Sequence, residues 1–98
     1  MIVVRDVFKL KFGQAREAKA VIKEGLPILK KGGYAHDRML TDFTGDFYTL
    51  VMESKFKNLS EYENALKENL GDKKWQEWYQ KVVPLVKSGY REILTVVE

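Results

Sequence analysis

Cysteine is absent from this 98-residue chain, which removes disulfides, thiol nucleophiles and the usual structural zinc and iron–sulfur sites together. Histidine occurs once, as His36, so a multi-histidine metal site is excluded and no metal or other cofactor is expected. No apolar run approaches the ~20 residues needed to span a bilayer, so no membrane segment is expected. The opening Met1-Ile2-Val3-Val4-Arg5 meets a charge at once and lacks the long apolar stretch of a secretion signal, which points to a cytoplasmic protein. A strong charge bias is missing too. The 17 basic and 14 acidic residues leave a net charge of +3, scattered as a solvated surface would be rather than gathered as a nucleic-acid footprint. What remains is a chain that is 45% hydrophobic and 32% charged, expected to form one domain over residues 1–98 with a thin core.

The stretch Asp42 to Leu70 organises the rest. Thr44-Gly45-Asp46 carries turn chemistry. Phe47 to Phe56 follows, rich in aromatic and β-branched residues without Gly or Pro, and reads as a central strand with little water on either face. Asn58 or Ser60, each with a glutamate three residues on, caps a helix over Leu59–Leu70. Upstream, Ile2 to Phe12 alternates as a first strand. Gly13 ends it, and Gln14 to Lys31 carries Ala15, Ala18, Val21, Ile22, Leu26 and Leu29 at helical spacing. Gly25 and Pro27 interrupt that stripe, Pro27 predicts a kink or break in the helix, and Gly32-Gly33 marks its end. Tyr34 to Phe43 reads as a second strand of mixed faces. Downstream, Asp72 caps a helix starting at Lys73 whose apolar stripe is Trp75, Trp78, Tyr79, Val82, Leu85 and Val86. Pro84 bends it or closes it early, and Ser88-Gly89 leads into Tyr90 to Val97, the last strand.

This order predicts an α+β fold, a ferredoxin-like βαββαβ antiparallel sheet of order 4-1-3-2 with the helices on one face. Phe8, Leu10, Tyr48, Leu50, Met52 and Phe56 fall on the helix side. Val3, Val7, Phe47, Thr49 and Val51 fall on the other, a half-apolar patch that predicts burial against a second copy of the chain.

Gly13 closing the first strand, the TGDFYT turn, the Asn58-Leu59 helix entry and Trp75 before Pro84 together resemble the dimeric α+β barrel superfamily. Its NIPSNAP-like and antibiotic-biosynthesis-monooxygenase-like branches are the most similar. The resemblance implies a homodimer closed sheet to sheet, with a small aromatic or hydrophobic ligand between sheet and helices. Members include cofactor-independent oxygenases, haem-degrading enzymes and proteins of no assigned activity, so catalysis and a non-catalytic binding role both remain open. The haem-degrading branch is marked by an asparagine on the first strand and a histidine on the last helix. Asp6 and Tyr79 stand at those places here, which argues against haem degradation.

Candidate residues follow. Asp6, among Val4, Phe8 and Leu10, is a carboxylate that needs either a cationic partner or a raised pKa. As a poised acid it would move a proton, and as an ion-pair member it would hold the fold. His36 would be the natural base near neutral pH if it faced a pocket, and a hydrogen-bonded wall residue otherwise; alternation places Arg38 on its side of the strand. Tyr48, Met52, Trp75, Trp78 and Tyr79 are candidate ligand walls, or simply core. Arg5, Glu53 and Arg91 are expected as paired charges on the barrel side. The RNA-recognition module shares this topology, but TGDFYTLVM lacks its basic-Gly-aromatic run, which weighs against nucleic acid.

Overall fold

A computed structural model describes residues 1–97. The elements are β1 (Ile2–Leu10), α1 (Ala15–Lys31), β2 (His36–Thr41), β3 (Thr49–Phe56), α2 (Leu59–Leu70), α3 (Lys73–Val82), a 3₁₀ turn (Val83–Leu85) and β4 (Val86–Thr95). The sheet is antiparallel in the order β2-β3-β1-β4, with the helices on one face. This is the expected ferredoxin-like arrangement, with β3 central. Among the described residues, no helix is long and apolar enough to cross a membrane.

The core lies between the helices and the alternate residues Val4, Leu10, Leu50, Met52 and Phe56, closed from above by Ile22, Leu29, Tyr62, Trp78 and Val82. Alternation along β1 and β3 accounts for this face. α2 begins as predicted from Asn58. Its Oδ1 accepts from Glu61 N–H at 3.0 Å, while Glu61 Oε2 accepts from Lys57 N–H at 3.3 Å, a close variant of the capping box. Asp72 caps α3 by accepting from Lys74 N–H at 2.8 Å.

Several boundaries differ from the expectation. β1 stops at Leu10, and Phe12 is exposed. α1 is not divided at Pro27. Pro27 and Lys23 both lie on the exposed side of the helix, where water can satisfy the carbonyl that the ring leaves without a donor. β2 and β3 are shorter than predicted, and residues 42–48 form the connection, turning through Gly45 at φ 108°. Asp42 stiffens this turn by accepting from Thr49 N–H at 2.7 Å, and Phe47 therefore sits in the connection rather than on the sheet. β4 starts at Val86, four residues before the predicted Tyr90, because Ser88 and Gly89 pair with Lys9 and Phe8 instead of turning. A Cβ on Gly89 would stand 3.0 Å from Val7 O and 3.2 Å from Phe8 Cδ1. That glycine is one of close approach, not of punctuation.

A candidate ligand site between sheet and helices

The site begins with how α1 ends. Gly33, at φ 93°, donates to Lys30 O, and Tyr34 N–H donates to Leu29 O at 2.9 Å. These two bonds form the glycine-terminated cap that reverses a helix and turns the next side chain inward. Tyr34 is buried as a result, and its hydroxyl donates to Asp6 Oδ2 at 2.8 Å.

Asp6 lies mid-sheet, with Met52 opposite it on β3 and Arg91 opposite it on β4. It is only 4% exposed. Arg91 Nε donates to Asp6 Oδ1 at 2.5 Å, and Arg91 Nη1 donates to the Tyr62 hydroxyl at 2.6 Å. The guanidinium also lies 5.7 Å from the centre of the Tyr62 ring, within cation–π range. The carboxylate thus has a cation on one oxygen and a phenol on the other, the pairing a buried charge requires. Burial, reinforced by the negative charge of Asp6, pushes the Tyr34 hydroxyl well above the ordinary tyrosine value. Burial raises Tyr62 as well, against the opposing pull of Arg91. For Arg91, burial works against the charge, but the hydrogen bond and charge of Asp6 outweigh it and leave the pKa raised.

Above this polar floor is a cavity of about 200 Å³, walled by Phe8, Ile22, Met52, Leu66, Trp75, Trp78 and Tyr79, among others. Trp78 is locked in place: its Nε1–H donates to Val21 O at 2.7 Å, and Gly25 leaves the space that its ring fills. Trp75 and Tyr79, one turn apart, stack with centroids 5.0 Å apart and planes 12° from parallel. A flat, apolar slot over a hydrogen-bonded floor is the usual build of a small-molecule site. Among the described residues, no cluster of histidine and acidic side chains could hold a metal ion.

Of the sequence-derived candidates, Asp6, Met52, Trp75, Trp78 and Tyr79 come together here. Tyr48 does not. It packs at the end of the sheet, with its ring 5.1 Å from Phe12 and 5.9 Å from Phe47. His36 does not line the cavity either. The strand register slips between His36 and Arg38, so that His36 pairs with Ser54 and Arg38 with Glu53. Residues paired with consecutive positions of β3 face opposite ways, which corrects the expectation that the two share a side. Arg91 is corrected as well: it lies on the helix side, opposite Asp6, not in the barrel-side network. Arg5 and Glu53 are on the open face as expected, where Glu53 accepts from Arg5 at 3.1 Å and Arg38 at 2.7 Å. Arg38, helped by Arg5, holds the Glu53 carboxyl below its usual range.

Tyr34, Tyr62 and Asn69 were not found by sequence reasoning, and Arg91 was assigned to the wrong face of the sheet. Asn69 borders the cavity, is 2% exposed, and has no hydrogen-bond partner for either amide atom. Only the strand register could have revealed Arg91, and the helix-ending glycine pair was the one signal for Tyr34.

No family sequence model matches the chain, and neither does any curated protein sequence. Solved structures do resemble it. An uncharacterized NIPSNAP domain protein of Burkholderia xenovorans superposes with a TM-score of 0.94 at 17% identity, over 99% of this chain and 95% of that one. SnoaB, a cofactor-independent oxygenase of Streptomyces nogalater, gives 0.75 at 11% identity, over 99% and 93%. A further structure, described as an antibiotic biosynthesis monooxygenase, gives 0.74 at 11% identity over the whole of both chains. The chain therefore has the same ferredoxin-like fold as these proteins. The structures it resembles are NIPSNAP-domain and antibiotic-biosynthesis-monooxygenase-like proteins, the two branches that the turns and patterning of the sequence resemble.

Proposed function

We propose that this protein binds a small, flat, aromatic or hydrophobic molecule in the cavity beneath α3, and that it does so as a homodimer joined through the open face of its sheet. The cavity carries the reading: about 200 Å³ of mostly apolar space stands over a floor of Asp6, Arg91 and Tyr34. A core that needed no ligand would be expected to close such a space, since interiors pack to crystal-like density. The dimer is supported by the open face, where Leu40, Tyr90 and Leu94 leave apolar surface around the Arg5–Glu53–Arg38 network.

A direct test is fluorescence titration with naphthalene, read on Trp75 and Trp78, the two tryptophans of the chain. Saturable quenching at one molecule per chain is expected, weakened by about 10-fold in Trp75→Ala, the scale of a lost aromatic anchor. Absence of saturable quenching would count against the site.

A catalytic version of this reading is supported by the likeness to a cofactor-independent oxygenase. Such a reaction would turn an activated ring CH₂ into C=O, with one oxygen atom of O₂ entering the product and the other leaving as water. Among the described residues, Asp6 is the one carboxylate lining the cavity, and to receive the substrate proton it would exchange its hydrogen bond from Tyr34 for one from the substrate. The probe is dithranol: oxygen uptake above the uncatalysed rate, abolished in Asp6→Asn with naphthalene binding retained, supports catalysis. Unchanged uptake favours the non-catalytic binding protein.

A further inference from the structure

We infer that the ligand of this cavity is an apolar anion, with its rings in the slot and its charged group at a mouth between Lys87 and Arg91. The inference rests on the cavity reading above and adds the chemical class of the ligand. The inner cavity shares Asp6, Phe8, Tyr79 and Arg91 with an outer pocket of about 420 Å³ between α3 and β4, which Val83, Val86 and Lys87 help to complete. That outer pocket is the way in.

The charges along this path are unequal. Its ionic side chains are Asp6, Lys87 and Arg91. Both oxygens of Asp6 are already engaged, by Arg91 and Tyr34. Arg91 spends Nε and Nη1 on Asp6 and Tyr62, which leaves Nη2, on a side chain that is 45% exposed. Among the described residues, Lys87 makes no ion pair, and it is exposed. One acid and two cations leave a net positive mouth on an apolar slot.

The backbone adds to this. Gly89 and Arg91 pair with Phe8 and Asp6 on the helix side, while the strand bulges at Lys87, between Val86 opposite Leu10 and Ser88 opposite Lys9; all three line the outer pocket, and the glycine puts no side chain of its own between the two cations. A carboxylate or sulfonate there would accept charge-assisted hydrogen bonds, which a neutral ring of the same size cannot do. The site would then draw in anions ahead of neutral analogues.

The test uses a matched pair, 2-naphthoate and 2-naphthamide, titrated calorimetrically into the full chain. Naphthoate is expected to bind about 10-fold tighter, and added salt should weaken it alone. Lys87→Glu should weaken naphthoate by roughly 3- to 10-fold and leave naphthamide within about 2-fold, as expected for reversing one partly screened charge. Lys87→Gln should fall between, with unchanged melting curves confirming that both variants fold. Lys19→Glu makes the same charge change on the exposed side of α1, away from both pockets, and should leave both affinities as they are. Equal binding of the two ligands, or equal loss of naphthoate in the Lys19 variant, overturns the inference while leaving the cavity reading intact. If neither ligand binds, the cavity reading falls and the inference falls with it.

Discussion

Tyr34 is the residue whose chemistry is most changed by folding. Its hydroxyl is buried against a carboxylate, and its pKa rises above the usual 10.0. A raised folded value means that the folded state keeps a proton the unfolded state has released. The stability this provides is complete below about pH 10 and declines as pH climbs towards the folded value. Tyr62, also raised, adds to the decline. Tyr34→Phe removes the hydrogen bond to Asp6 and should cost roughly 1–3 kcal/mol at neutral pH. The gap from the parent protein should then narrow above pH 10, and denaturant melts at pH 7, 9 and 11 would measure it. Asn69 works in the opposite sense. An amide buried without a partner is destabilising, so Asn69→Leu, of nearly the same shape, should raise stability by roughly 1–3 kcal/mol. A lower Tm would show that the amide is satisfied in solution.

Among the elements, α1 and α3 cross where Gly25 meets the Trp78 indole. A Cβ on Gly25 would fall 2.0 Å from Trp78 Cε2. Alanine favours a helix by about 1 kcal/mol over glycine, yet Gly25→Ala should destabilise by roughly 1–3 kcal/mol through overpacking. Adding Trp78→Phe should recover part of that loss, a non-additivity that a double-mutant cycle would detect by melting. The same crossing shows how far the sequence could be read. Alternation in β1 and β3, the stripe of α3 and the caps at Asn58 and Asp72 are local signals, and they placed the sheet, the helices and half of the cavity wall. Gly25 looked like an interruption because its purpose lies 53 positions away in the chain, under Trp78. Gly89 looked like the lead-in to the last strand, not part of it, for the same reason. Tyr48 misses the cavity because it lies before β3 begins, against the core at the end of the sheet, and His36 parts from Arg38 because a single-residue slip turns a side chain to the other face.

At the scale of the whole molecule, the proposed dimer rests on the open face. Val51 is already buried within one chain, so a charge there would disturb the protomer as well as any partner. Leu94, opposite Val3 and half exposed, is the cleaner probe. Leu94→Asp should shift the protein from dimer to monomer in sedimentation at micromolar concentration, while Lys19→Glu on the helix side leaves it dimeric. A parent protein sedimenting near 11.4 kDa would refute the dimer. The strand order also bears on how the chain is born. β1 lies between β3 and β4, and the partners Asp6 and Arg91 are 85 residues apart. A growing polypeptide can therefore assemble β1, β2 and β3 with the helices while Asp6 still has no counter-ion and one flank of β1 is unpaired. Pairings of such long range form late. Docking of β4 neutralises the carboxylate and closes the cavity floor in the same event, so the cavity can form only after the last strand of the sheet has paired with β1.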